Sequence, residues 1–284
     1  METQQPQPKR KRSFKYIIRF FQIIFALILV FFISFFVTLA IRSSGNDAAQ
    51  IQERYSVADK NNPVAQINPE TGLGEKIDRL FNIEIAVAEK RRKFRHYVLM
   101  KDIPRAMCRA VIAVEDKRFY NHNGFDIESI ARATVVNVES GEIEEGGSTI
   151  TQQLAKNLFL SQERSFTRKF EELLLSIQIE SHFDKNKILE LYLNTIYFGS
   201  NFYGINDAAQ GYFGKEPKNL SLAECAMLAG IPNAPSVYSP YVNFSLAKQR
   251  QNIVLDAMIK AHFITRFEAD KARKEEIILS EGIY

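Results

Sequence analysis

The sequence predicts a mainly α-helical domain that follows a single membrane-spanning helix. Phe20 to Ile41 form an uncharged stretch of 22 residues, which is long enough to cross a bilayer as a helix. From Ile103 onward, apolar residues recur at helical spacing. No stretch shows the repeated alternation of apolar and polar residues, with turn residues between, that several β-strands would require.

The amino-terminal part of the chain predicts a basic tail, an anchor and a linker. The first 41 residues carry a net charge of +5, and residues 1–19 hold all of the charged side chains among them. Basic residues before a membrane helix stay in the cytoplasm, so the chain after residue 41 is expected outside the membrane. A cleaved signal peptide would have a shorter apolar core of about 7 to 15 residues, which favours a permanent anchor over residues 20–41. Residues 42–75 are polar and predict a linker or stalk, which leaves 76–284 as the folded domain.

Charge and composition exclude two classes of partner. The whole chain has a net charge of +4, so the residues after the anchor sum to −1. A nucleic-acid-binding domain keeps its positive charge on the folded part, and we therefore expect no nucleic acid partner. The two cysteines and four histidines show no ligand spacing, which predicts that no structural metal is bound.

Helix signals place the elements of the folded domain in order. Pro104 suits the first turn of a helix that reaches Glu115, and Asp126 opens the next helix. Capping residues indicate four further helix starts, at Thr149, Asp184, Ser221 and Thr265.

The adjacent carboxylates Glu115 and Asp116 form the candidate catalytic centre. Glu115 follows an apolar run, so burial and the charge of Asp116 should raise its pKa, as a general base requires. Lys117 and Arg118 should oppose that shift. A lone Glu-Asp pair is more often a helix end followed by solvated charges, but the segments downstream favour catalysis.

A polar helix start follows, in Gly146-Gly-Ser-Thr-Ile-Thr-Gln-Gln-Leu-Ala-Lys-Asn157. The two glycines let the backbone approach a ligand, and such a helix start attracts anions. Adjoining strips of this helix carry four polar side chains, Gln152, Gln153, Lys156 and Asn157. The segment predicts a surface of donors for an oxyanion.

A second carboxylate, Glu172, comes one helical turn after Arg168 and Lys169. Cationic neighbours should keep it ionised, whereas Glu115 has an apolar setting. Two carboxylates in contrasting environments are typical of divided acid and base roles. The sequence alone also allows the alternative that Glu172 forms a solvent-exposed ion pair with these cations, which would stabilise the fold only slightly.

Together these segments resemble the family 51 glycosyltransferases, the peptidoglycan polymerases found alone or as amino-terminal domains of class A penicillin-binding proteins. The resemblance covers residues 103–272 in unbroken order. Five motifs carry it: Glu115-Asp-x-x-Phe-x-x-His-x-Gly124, Gly146-Gly-Ser-Thr-Ile-Thr-Gln-Gln153, Arg168-Lys-x-x-Glu172, Lys185-x-x-Ile-Leu-x-x-Tyr-Leu-Asn194 and Arg250-x-x-x-Val-Leu255. Gln251 departs from the pattern, since family members often carry a second Arg there, and this leaves less charge for phosphate binding.

The resemblance implies a lysozyme-like fold and polymerisation of lipid II, the undecaprenyl-pyrophosphate-linked disaccharide pentapeptide, with inversion at the anomeric carbon. Glu115 would take the proton from the acceptor hydroxyl, and Glu172 would assist at the leaving group. Asp116 and His122 would orient the loop that presents Glu115. Cations and hydrogen-bond donors would hold the pyrophosphate: Ser148, Gln152, Gln153, Lys156, Asn157, Arg164, Arg168, Lys169 and Arg250.

The same resemblance implies partners and a location. The expected partners are lipid II, the nascent glycan strand, membrane lipid and other cell-wall synthesis proteins, at the outer face of a bacterial cytoplasmic membrane. Phe159, Leu160 and Phe166 could dip into that membrane or pack in the core. No cofactor is required, although Mg²⁺ or Mn²⁺ could act at the leaving group.

Other functions remain open at this point. A lysozyme-like glycan hydrolase would use Glu115 as an acid, and a non-catalytic scaffold would only bind lipid II. A penicillin-sensitive transpeptidase is not expected, because Ser44-Gly-Asn46 and Ser245-Leu-Ala-Lys248 stand in the wrong order and no Lys-Thr-Gly is present.

Overall fold

A computed structural model describes residues 72–94, 96–140, 147–160 and 165–280. Two compact units divide the chain, residues 1–77 and 78–284. The tail and anchor predicted over residues 1–41, with nearly all of the linker, lie outside the described residues. Within the described ranges, no helix combines the length and the apolarity needed to cross a bilayer.

The described part of the chain consists of α-helices joined by short turns. They are α1 (Leu73–Phe81), α2 (Ile83–Arg91), α3 (Arg105–Glu115), α4 (Ile127–Ser140), α5 (Ile150–Phe159), α6 (Phe166–His182), α7 (Lys185–Thr195), α8 (Gly204–Phe213), α9 (Leu222–Gly230), α10 (Pro235–Tyr238), α11 (Phe244–Lys260) and α12 (Arg266–Lys274). β-Pairing in these ranges amounts to an isolated antiparallel bridge between Tyr197 and Tyr203. The prediction of a mainly helical domain is confirmed.

Side-chain caps begin several helices where the sequence predicted them. The side chain of Thr149 accepts a hydrogen bond from the amide of Gln152, and Asp184 accepts one from Lys187. Full capping boxes also begin α9 at Ser221 and α12 at Thr265. These caps satisfy amides that have no partner within the helix, so they fix where each helix starts.

The candidate site lies where two groups of helices meet. Within each group the helices pack against one another. Helices α3, α9 and α11 pack against one another and bury Val111, Leu228 and Leu255 completely. Helix α5 packs on α6 and α7, with Leu154 fully buried. Asp116 joins the groups, because its Oδ2 accepts a hydrogen bond of 3.0 Å from the Ile150 amide at the start of α5. The carboxyl end of α3 therefore faces α5.

The turn after α3 requires a glycine at position 124. Gly124 has a φ of +97°, and a Cβ there would lie 2.8 Å from the backbone of Ser176 in α6. Its carbonyl also accepts a hydrogen bond of 2.7 Å from Thr149 Oγ1. Because glycine alone adopts this conformation without strain, the turn can pack closely between α6 and the start of α5.

Candidate active site

Glu115 stands at the end of α3 and is held by a side chain of α5. Gln153 Nε2 donates to Glu115 Oε2 at 2.8 Å. Burial raises the pKa of Glu115 above its ordinary value, and Asp116 adds to the increase. The predicted direction is confirmed, and its cause is a charged group removed from water beside a like charge.

The groups that oppose this shift differ from those predicted. The pKa of Glu115 is lowered by the Gln153 hydrogen bond and by the charges of Arg250 and Lys156. Arg118 instead forms ion pairs with Asp126, at 3.0 Å, and with Glu128. Arg118 is therefore engaged elsewhere, and the main cations acting on Glu115 come from α5 and α11 rather than from its sequence neighbours.

Asp116 and His122 form a buried pair beneath Glu115. Asp116 is 6% exposed and His122 is 8% exposed, and His122 Nε2 lies 2.9 Å from Asp116 Oδ2. Lys185 Nζ donates to the His122 carbonyl at 2.7 Å. Together with the bond to Ile150, these contacts fix the backbone that follows Glu115, which fits the orienting role predicted for both residues.

The second carboxylate, Glu172, is buried in α6 with 3% exposure. Arg168 Nη1 donates to its Oε2 at 3.1 Å, and Lys169 Nζ donates to its Oε1. Lys169 Nζ also donates to Ser148 Oγ at 2.9 Å. The alternative of a solvated surface pair is wrong, since the carboxylate is removed from water.

Lys156, on α5, links the two carboxylates electrostatically. Burial lowers the pKa of Lys156, with Arg168 and Lys169 adding to the decrease, while the charges of Glu172 and Glu115 raise it. One ammonium group therefore interacts with both acids. Lys169 also contacts Ser148, which lines the same cleft as Glu115, so the second carboxylate and its cations adjoin the cleft of the candidate base.

Arg250 reaches this site from α11 along a cleft of about 480 Å³ that also includes Glu115 and Ser148. Its guanidinium lies over the Tyr238 ring at 5.6 Å. A Cβ on Gly230 would lie 2.7 Å from Arg250 Cγ, so this glycine permits the close approach.

The side chain of Gln251 does not line this cleft and is packed between helices instead. It is completely buried, and its Nε2 donates to the Ala223 carbonyl of α9 at 2.7 Å. The interpretation that Gln251 weakens the phosphate site is wrong, because this position faces the helix core and contributes nothing to the cleft.

The start of α5 differs from the predicted donor surface. Gln152 is 2% exposed, and its Oε1 accepts a hydrogen bond of 3.0 Å from the Thr149 amide. A Cβ on Gly147 would lie 3.2 Å from Ile130 Cα, so this glycine serves packing against α4. Asp116 already occupies the Ile150 amide. Gln152 is therefore a structural capping residue, which corrects its prediction as a ligand of the substrate.

The remaining predicted residues are distributed as follows. Asn157 is exposed on α5, while Arg164 lies outside the described residues. Phe159 and Leu160 are partly buried and pack against the core, and the side chain of Phe166 is outside the described residues.

Sequence reasoning missed Tyr192, which is fully buried and donates to Gln153 Oε1 at 3.0 Å. A buried tyrosine needs a hydrogen-bond partner for its hydroxyl, and that requirement is the signal in the sequence that could have identified Tyr192.

The acidic side chains of the site bear on the predicted role of a divalent cation. No group of three or more His, Cys, Asp and Glu side chains suited to a metal occurs among them. Both oxygens of Glu172 are engaged by cations, Arg168 and Lys169, and a role for Mg²⁺ or Mn²⁺ at the leaving group stays a prediction.

Comparison with known proteins identifies the class. Residues 82–259 match the Transglycosylase family, and the chain belongs to this family. The resemblance indicated by the five motifs is thereby confirmed.

Two curated relatives carry the name penicillin-binding protein 1A. The protein of Neisseria flavescens is 52% identical over 189 residues, which are 66% of this chain and 23% of the relative. The protein of Aquifex aeolicus is 51% identical over 178 residues, which are 63% of this chain and 24% of the relative. The match thus spans about a quarter of the length of these relatives. A crystal structure of penicillin-binding protein 1A from Haemophilus influenzae is 26% identical, with a TM-score of 0.40, and covers 67% of this chain and 19% of that one.

Proposed function

We propose that this chain is a peptidoglycan glycosyltransferase that polymerises lipid II into glycan strands. Family membership supports this activity. The observation that carries the proposal is the arrangement of two carboxylates in contrasting settings around one cation. Glu115 has a raised pKa, Glu172 is held by two cations, and Lys156 interacts with both acids.

In the proposed reaction, Glu115 removes the proton from the 4-hydroxyl of the acceptor's N-acetylglucosamine. The resulting oxygen nucleophile attacks the anomeric carbon of the donor from the face opposite its pyrophosphate. The bond between that carbon and the pyrophosphate oxygen breaks with inversion, and undecaprenyl pyrophosphate leaves. The proton remains on Glu115. A carboxylate whose pKa is raised above its ordinary value suits this transfer, because it is a stronger base than an ordinary glutamate.

The cations near Glu172 suit the departing pyrophosphate. Lys156 and Lys169 present ammonium groups, and Arg168 retains a buried Nε that has no hydrogen-bond partner within the described part of the chain. An unpaired buried donor is costly unless a ligand satisfies it, and a phosphate oxygen would do so. Glu172 would hold Arg168 and Lys169 in place, and Arg250 would contribute from the Glu115 side.

The membrane would supply the substrate. Residues 20–41 would anchor the chain with its amino terminus in the cytoplasm, so the domain would meet lipid-linked substrate at the outer leaflet. Contact between membrane lipid and aromatic residues such as Phe166 remains part of this proposal, as do partnerships with other cell-wall synthesis proteins.

A polymerisation assay with the full-length protein in detergent tests the proposal. Labelled lipid II should give long glycan strands, and Glu115→Gln should lower turnover at least about 100-fold while lipid II binding persists. Short fragments released from preformed glycan would instead identify the hydrolase. Binding without turnover by the unaltered protein would identify the scaffold. Normal polymerisation by Glu115→Gln would overturn the assignment of the base.

A further inference from the structure

The hydroxyl of Tyr192 is connected to Glu115 through a single side chain. Tyr192 OH donates to Gln153 Oε1 at 3.0 Å, and Gln153 Nε2 donates to Glu115 Oε2 at 2.8 Å. Tyr192 belongs to α7, whereas Gln153 belongs to α5 and Glu115 ends α3. Three helices thus contribute one residue each to a continuous chain of hydrogen bonds.

The amide of Gln153 has a donor end and an acceptor end, so its orientation matters to Glu115. An ionised carboxylate only accepts hydrogen bonds, so it requires Nε2 to face it and leaves Oε1 to another donor. A protonated Glu115 would also need an acceptor, which the amide offers only when it turns over. In that orientation Nε2 would face Tyr192, whose hydroxyl oxygen can accept. The tyrosine oxygen can accept there, but the tyrosine proton would then lose its bond to Gln153, so the observed orientation, which serves the ionised carboxylate, is the better satisfied one.

We propose that Tyr192 is a positioning residue that sets the orientation of the Gln153 amide and thereby favours the ionised form of Glu115 before each reaction. After Glu115 has taken a proton, the same hydroxyl allows the amide to turn over. This inference rests on the proposed role of Glu115 as the base. The hydrogen bonds on which it depends exist independently of that role.

Burial strengthens the effect of the Tyr192 hydroxyl on Gln153. Tyr192 is completely buried, so bulk water does not compete for its hydroxyl. Burial also raises the pKa of the Tyr192 hydroxyl well above its ordinary value, and the charges of Glu115 and Asp116 raise it further. The hydroxyl therefore keeps its proton over the working pH range and remains a donor.

Other groups also act on Glu115, and the experiment must separate them from Tyr192. Arg250 from α11 and Lys156 from α5 favour the ionised form, while Asp116 disfavours it. None of these charges is altered by Tyr192→Phe, which removes one oxygen and keeps the ring that fills the core. A change in the pKa of Glu115 in this variant would then come from the loss of the hydrogen bond between Tyr192 and Gln153.

The test measures the titration of Glu115 in two ways on the full-length protein. Carboxyl-¹³C-labelled glutamate, with the Glu115 signal assigned by its loss in Glu115→Gln, gives the titration without substrate. The acidic limb of kcat/KM against pH, with lipid II, gives it through activity. In Tyr192→Phe we expect both to move to higher pH and kcat to fall about tenfold, the effect of one hydrogen bond. Gln153→Leu should move the NMR titration in the same direction, and in that background Tyr192→Phe should add no further shift.

Tyr212→Phe is the matched control. Tyr212 is also fully buried, and its hydroxyl donates to the Phe198 carbonyl at 2.8 Å and lies 2.9 Å from Ser239 Oγ. Because this hydroxyl has two partners, Tyr212→Phe should lower the melting temperature at least as much as Tyr192→Phe and leave the Glu115 titration in place. An unchanged titration in Tyr192→Phe, or equal shifts in both Tyr→Phe variants, would overturn the inference. If the unaltered protein made no glycan, the proposed function would fail while the NMR titration still decided the role of Tyr192.

Discussion

Lys169 joins the carboxylate of Glu172 to the hydroxyl of Ser148. Its Nζ donates to Ser148 Oγ at 2.9 Å and also to Glu172 Oε1. One cation thus connects α6 to the segment before α5. The lysine side chain is 48% exposed although the carboxylate is buried, so the charge is held in place and still open to an anion from solvent. Preorganisation of this kind is what stabilises a departing phosphate group.

Replacement of Lys169 by methionine should affect activity more than stability. The variant loses a charge-assisted donor to the leaving group, so we expect kcat/KM with lipid II to fall about 10- to 100-fold. Arg168 still pairs with Glu172, and the lysine is half exposed, so the free energy of unfolding should fall by only about 1–2 kcal/mol. The assay of glycan synthesis and thermal unfolding by circular dichroism measure the two effects.

Lys187→Met provides the control for that variant. Lys187 makes the same ion pair across three residues, with Glu190 in α7, and that carboxylate side chain is 8% exposed. Glu190 accepts hydrogen bonds from Tyr97 and Met100, neither of which belongs to the candidate site. We expect a comparable loss of stability and an unchanged kcat/KM. Equal losses of activity in both variants would assign the effect of Lys169 to stability alone.

Removal of the Glu115 charge should stabilise the folded protein at neutral pH. The pKa of Glu115 is raised above 4.5 in the folded state, mainly by burial. The folded state then binds this proton more tightly than the unfolded state, so the ionised side chain destabilises the protein as the pH rises through the folded-state pKa. Glu115→Gln should therefore melt at a higher temperature than the unaltered protein near pH 7, and the difference should vanish near pH 4.

Glu268→Gln tests the opposite sign. Hydrogen bonds from the Thr265 amide and hydroxyl hold the pKa of Glu268 below its ordinary value. Its charge stabilises the folded state above the unfolded-state pKa, and this contribution is lost as the pH falls through the folded-state value. This variant should melt lower than the unaltered protein at neutral pH and approach it in acid. A melting difference for Glu115→Gln that did not change with pH would contradict the account of its burial.

The sequence predicted what depends on local spacing and missed what depends on packing. Caps such as Thr149 and the contact of Arg168 with Glu172 follow from helical geometry within one turn, and all of them are present. Gln152 and Gln153 are adjacent but project about 100° apart around α5. One is buried in the cap and the other meets Glu115, a distinction that requires knowing where α3 lies. Tyr192 stands 39 residues from its partner Gln153, so no local pattern could connect them.

The neighbouring residues Arg250 and Gln251 give the sharpest test of which side of α11 faces the substrate. Arg250 lines the cleft and lowers the pKa of Glu115 by its charge, so Arg250→Leu should lower kcat/KM about tenfold or more and move the acidic limb of kcat/KM to higher pH.

Gln251→Leu is the control and should leave KM and the pH profile unchanged. It removes the bond to Ala223, but it also removes a buried Oε1 that has no hydrogen-bond partner within the described ranges, so the free energy of unfolding should change by less than about 1.5 kcal/mol. Steady-state kinetics across pH and thermal melts of both variants check this. A raised KM in Gln251→Leu would mean that this side of the helix also contacts the pyrophosphate.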